Sequence, residues 1–322
     1  VAQRIRRAPT LSGCLSGADG APSRREDVLE GAAMTVRLAV VADIHHGPPH
    51  ATKRGDAALP LLGEFARFVA DARPDAVLDL GDCITDVDAA ADRRRTAEVA
   101  DAFRAIPAPL IGVDGNHDRD NLSAEETASL LARPAGSETL DLGGWRLAIW
   151  RADPRIHRTA AARGFALPEP DFLWLAAVVA TADRPLLVVS HAPVSGRGQT
   201  GNYYFENNPD LAGYPEAPRV RTLLQRARVP VVCLAGHVHW NTATTVDGVV
   251  HLTQQSLTES FTTGGEPSGA MGLLELGDDG IAWTVTGRDP IDVRLSVAAP
   301  AWVPSMPRFE LPARDTARGP ER

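Results

Sequence analysis

The sequence predicts an α/β domain built in layers. Three observations carry this: valine-rich apolar runs that recur along the chain, amphipathic segments between them, and a polar residue at the end of nearly every run. With 322 residues, of which 44% are hydrophobic, the chain is long enough to bury a large core. It carries 33 basic and 41 acidic side chains, a net charge of -8 that argues against a general nucleic-acid or anionic-membrane surface. No apolar run is long enough to cross a bilayer, and the expected location is cytoplasmic. The three cysteines, Cys14, Cys83 and Cys233, form no spaced framework, and Cys83 and Cys233 are expected as small buried side chains.

The elements follow in order. Residues 1–34 are rich in Arg, Gly, Ser and Ala without a sustained period, and are expected to be a non-catalytic tail or a start-site extension ahead of Met34. One folded domain is expected over residues 35–300, with a tail from 301 to 322. "VRLAVVA" reads as a strand covered on both faces and stops at Asp43. Residues 56–72 place apolar side chains three and four apart, as an amphipathic helix does. "DAVLDL" leads into "GDC", "ADRRRTAEVADAFRAI" reads as a helix with a charged outer face, and "PAPLIGV" leads into "DGNHD". Ser123 and Glu126 form a capping box that starts the next helix. Residues 137–150 read as two strands around Gly-Gly, 168–182 as a helix, and "RPLLVVSHAP" as a buried strand. "RVRTLLQRARV" predicts a helix and "PVVCLAGHVH" a strand, and the remainder alternates antiparallel strands with Gly and Asp turns.

The groups just past these strand ends are Asp43 and His45, Asp82, Asn116 and His117, His191, then His237 and His239. Side chains there are held by a rigid scaffold and face the crevice where ligands of open α/β sheets bind. In an extended chain the outer residues of "DIH" and "HVH" would point the same way. Carboxylates, an amide oxygen and imidazoles suit Zn, Mn or Fe, and the list exceeds what one tetrahedral ion needs. Two ions sharing one carboxylate would use them all and could clamp an in-line phosphoryl displacement.

The ordered set "DIH", "GDC", "GNHD", "SHAP" and "GHVH" resembles the calcineurin-like metallophosphoesterase family, from about residue 36 to residue 255. The resemblance implies a four-layered αββα sandwich with two mixed sheets and a dinuclear metal site at strand ends. It implies that Asp43, His45, Asp82 and His239 surround one ion and that Asp82, Asn116, His191 and His237 surround the other. Two divalent or mixed-valence ions (Mn, Fe or Zn) would be the cofactors, Asp82 the bridge and a metal-bridging hydroxide the nucleophile. His117 would stabilise the transition state or protonate the leaving oxygen, with Asp118 orienting the loop or the imidazole.

The reaction expected is hydrolysis of a small phosphate ester. A phosphodiesterase acting on a nucleotide-like or glycerol-type diester is favoured, because "GNHD" and the compact length are similar to the bacterial small-molecule branches. A phosphomonoesterase acting on a nucleotide or sugar phosphate is the alternative, and a non-catalytic metal-containing binding protein is the reading from another class. Substrate contacts are expected from His46 and from Arg197, Tyr203 and Tyr204 in the loop 195–218, whose aromatic residues either stack on substrate or pack on the domain. Residues 256–276 are expected to serve as structure or lid, "RRR" at 93–95 as a solvated face, and Trp240 as packing.

Overall fold

The computed structural model describes residues 35–159, 163–196, 199–301, 303 and 305–308. The expected tail 1–34, Cys14, Arg197 and most of 301–322 lie outside the described residues.

Two six-stranded mixed sheets organise the chain. The first contains β1 (Val36–Val41), β2 (Ala76–Asp79) and β3 (Leu110–Gly112) in parallel, extended antiparallel from β1 by β12 (Met271–Leu276), β13 (Gly280–Thr286) and β14 (Ile291–Ser296). The second places β5 (Trp145–Ile149), β8 (Leu186–Ser190), β9 (Val231–Ala235) and β11 (Val249–Thr253) side by side in parallel. Its antiparallel edges are β4 (Glu138–Leu142) and β10 (Thr242–Val246). A two-stranded ribbon, β6 (His157–Arg158) with β7 (Arg163–Gly164), was not legible in the sequence.

Alternation along the strands explains the four layers. Leu38 and Val40 of β1, Leu147 and Ile149 of β5, and Leu187 and Val189 of β8 share one core between the sheets. Their neighbours Ala39 and Val41 face the other way, onto Leu62, Phe65 and Val69 of α1 (Ala58–Ala72) and Val99 and Phe103 of α2 (Ala89–Arg104). On the far side, Ala148 and Val188 pack with Leu175, Val178 and Val179 of α5 (Glu169–Thr181) and Val220 and Leu224 of α6 (Ala217–Leu224). Between these helix pairs in sequence come α3 (Asn116–Arg119) and α4 (Ala124–Leu130). Ser123 and Glu126 close the expected capping box, with Glu126 N donating to Ser123 Oγ and Ser123 N to Glu126 Oε2. Asp88 caps α2 by accepting from the amides of Ala90 and Ala91. The parallel strands β1, β2, β3, β8 and β9 end on the same side as the loops that carry Asp43, Asp82, Asn116, His191 and His237.

Candidate metal centre

The seven strand-end residues converge into two adjacent clusters. Potential ligand atoms of Asp43, His45, Asp82 and His239 lie within 4.8 Å of one another, as do those of Asp82, His191 and His237. All six of these side chains are buried. Asn116 joins the second cluster, its Oδ1 3.2 Å from His191 Nε2. Asp82 belongs to both: its Oδ2 is 3.7 Å from His45 Nε2 and 3.5 Å from His191 Nε2. The arrangement is a dinuclear metallophosphoesterase site with a shared carboxylate.

The local backbone departs from the extended geometry expected of "DIH" and "HVH". Asp43, His45, Asp82, His237 and His239 all have positive φ, between 49° and 67°. Five non-glycine residues in the left-handed region within one site store strain that the surrounding structure must hold. Convergence thus comes from tight turns, which explains how His237 and His239, two apart, serve different clusters. Two glycines permit the close approach. A Cβ on Gly236 would stand 2.5 Å from Asp43 Oδ2, and one on Gly115 would collide with Asp82 Oδ1.

Hydrogen bonds fix which ring nitrogen faces each cluster. The Leu80 carbonyl accepts from His191 Nδ1 at 2.8 Å, which turns Nε2 toward Asn116 Oδ1 and Asp82. A neutral His191 therefore meets only acceptors there, and a proton or a cation is needed to satisfy them. The Leu211 carbonyl accepts from His237 Nε2 at 2.8 Å, leaving Nδ1 for a ligand. Glu259 Oε2 lies 2.7 Å from His239 Nδ1, so that His239 Nε2 is presented 2.9 Å from His45 Nε2. These donors fit a pair of borderline divalent ions; His191, His237 and His239 are each oriented by a carbonyl or carboxylate behind the ring, whereas His45 Nδ1 has no hydrogen-bond partner. The electrostatics agree. Although burial opposes it, Asp82 and Asp43 lift the His191 imidazole to about 10. Burial, reinforced by His191, pushes His237 down to about 3.

No hydrogen bond joins Asp118 to the His117 ring. Its carboxylate accepts from the amides of Cys83 and Gly115, each at 2.9 Å, and burial together with the charges of Asp82 and Asp114 lifts it to about 8. These amides lie in the loops that carry Asp82 and Asn116. The partner of His117 Nδ1 is instead Asp86. "GDCITD" carried that signal, a second acid four residues after Asp82. Behind the loops, Arg133 bridges Asp79 (2.8 Å) and Asp114 (2.6 Å), clamping the ends of β2 and β3.

The expected substrate contacts divide. His46 Nε2 is 2.6 Å from Glu98 Oε2 and is engaged with α2. Tyr204 shares a 2.8 Å hydrogen bond with Thr52 and meets the His239 ring edge-on at 5.3 Å, while Phe205 lies 4.9 Å from the His237 ring. Tyr203, 59% exposed, stacks on Phe261. Arg197 lies outside the described residues. Residues 256–260 serve as structure: Ser256 Oγ donates to the Asp43 carbonyl and Thr258 Oγ1 to that of Ile44. Trp240 packs near Phe261 and donates to Gln199. Lys53, buried beside His117, was also missed, although it is the chain's single lysine.

The crystal structure of a dimetal phosphatase from Danio rerio superposes with a TM-score of 0.64 at 17% identity, covering 82% of this chain and all of that one. GAP50, the anchor in the inner membrane complex of Plasmodium, gives 0.54 at 13% identity over 82% of this chain and 89% of its own. These likenesses show the fold. No curated protein matches the sequence. The family model for calcineurin-like phosphoesterases matches residues 36–241. With its ordered motifs and its paired clusters around Asp82, the chain belongs to the calcineurin-like phosphoesterase family.

Proposed function

We propose that the chain hydrolyses a small phosphodiester, of nucleotide-like or glycerol type. The observation that carries this reading is the sharing of Asp82 between two clusters with the His117 ring alongside, 4.9 Å from that of His45. Asp43, His45, Asp82 and His239 would hold one ion, and Asp82, Asn116, His191 and His237 the other. When bound, such a pair supplies an activated water and neutralises charge on the phosphoryl group.

The chain's own residues do the rest. Asp86 holds the His117 ring through Nδ1, so that Nε2 faces the site and supplies the proton to the leaving oxygen. Asp118 fixes the loops of Asp82 and Asn116 through the amides of Cys83 and Gly115. Tyr203, with its exposed ring on Phe261, offers an apolar face to the non-reacting part of the ester. The preference for a diester rests on Asp118 in "GNHD" and on the compact length.

A paired assay on bis(p-nitrophenyl) phosphate and p-nitrophenyl phosphate, with Mn, Zn and Fe added separately, tests the reading. Faster diester cleavage is expected, abolished in Asp82→Ala and strongly reduced in His117→Ala with its metal retained. Faster monoester cleavage would replace the diester by a nucleotide or sugar monophosphate. A His117→Ala variant with full activity would remove the proposed proton donor.

A further inference from the structure

Of the 33 basic side chains in this protein, 32 are arginine, and the single lysine is Lys53. It is also buried, at 5% exposure. Its loop is tied down from several sides: bridges pair Lys53 with His50 and with Glu259, Ser260 Oγ donates to the Thr52 carbonyl, and Thr52 bonds Tyr204. This fixes the side chain with Nζ 3.4 Å from His117 Nε2, a distance longer than a good N–H···N bond. Among the described residues no carboxylate lies within 4.0 Å of that ammonium, whereas the buried Arg133 has two. A buried cation normally has a partner. The charges of Asp82, Glu259, Asp86 and Asp43 reach it only from farther away, without a direct ion pair.

We propose that Lys53 is a catalytic residue whose counter-ion is the substrate: its ammonium contacts a non-bridging phosphoryl oxygen next to the leaving oxygen that His117 serves. This rests on the reading of the site as a phosphate-ester hydrolase. A compact ammonium with three rotatable donors fits beside His117 where a planar guanidinium would need more room. In a chain that otherwise uses arginine throughout, that difference gives the lone lysine its purpose. Charge-assisted bonds of this kind contribute about 1.5–3 kcal/mol, or roughly 10- to 100-fold in affinity.

The single lysine also makes the test direct. Zinc-loaded wild-type protein grown on ¹³C-lysine gives one lysine side-chain signal, with no assignment problem. Inorganic phosphate is titrated in, while calorimetry measures its binding in parallel. The expected result is a saturable shift of the Lys53 Cε signal with the same Kd as the calorimetric curve. In Lys53→Met, phosphate binds about 10- to 100-fold more weakly while two zinc ions per chain are retained, and Lys53→Arg recovers part of the loss. Phosphate binding with an unmoved lysine signal would overturn the role of Lys53 and leave the phosphate-ester reading standing. No phosphate binding to the loaded wild type would overturn both.

Discussion

Replacing Arg133 by methionine isolates the clamp behind the site. The guanidinium is 4% exposed and bridges Asp79, fully buried, and Asp114, 8% exposed, at 2.8 and 2.6 Å. Methionine fills much of the same volume but leaves two carboxylates in the interior, with only Arg119 still 3.5 Å from Asp114. Breaking a buried ion pair by removing one partner costs about 3–5 kcal/mol. For a domain of this size that lowers Tm by roughly 6–20 °C. Differential scanning calorimetry of the metal-free protein reads the shift without interference from ion binding. Asp79 stands three residues before Asp82 and Asp114 two before Asn116, so metal affinity should fall with stability. Adding Asp79→Asn and Asp114→Asn to Arg133→Met removes the stranded charges and should recover much of the loss. A Tm drop below about 2 °C for the single variant would refute the clamp.

Three further outcomes follow from the site. Glu259→Gln weakens the hold on the His239 imidazole and should lower metal affinity about 10- to 100-fold, read by competition with a chelating dye, while the fold persists. Metal uptake at pH 8 should release protons. The His191 imidazole, lifted to about 10, is charged in the metal-free site and must become neutral to ligate, so calorimetry in buffers of different ionisation enthalpy should show net release, and none would contradict the assignment. Gly236→Ala forces its Cβ to within 2.5 Å of Asp43 Oδ2 and should cost about 1–3 kcal/mol in urea unfolding, with loss of bound metal; an unchanged midpoint would show that the turn can relax.

The strands and helices were legible where burial imposes a clean period, as in "VRLAVV", whose alternate residues face a sheet and a helix layer. The strand-end motifs likewise marked the residues that meet at the site. What stayed hidden depends on contacts between distant segments. The sequence around Arg133 carries no sign that Asp79 and Asp114 will enclose it, since each lies at least 19 residues away. The "HVH" segment is not extended, because the left-handed turns at His237 and His239 are imposed by tertiary structure, with His237 N bonded to Asp43 at 3.0 Å. Asp86 and Lys53 left traces, one in "GDCITD" and one in composition, but their meaning required the position of His117.

The central claim is that Asp82 joins two metal sites into one hydrolytic centre, and metal content measured against protein concentration tests it most directly. Saturated wild-type protein, freed of loose ions, should hold two ions per chain, and Asp82→Ala, correctly folded by circular dichroism, should hold at most one. A wild-type chain that saturates at a single ion, or an Asp82→Ala chain that keeps both, would contradict the shared-carboxylate centre.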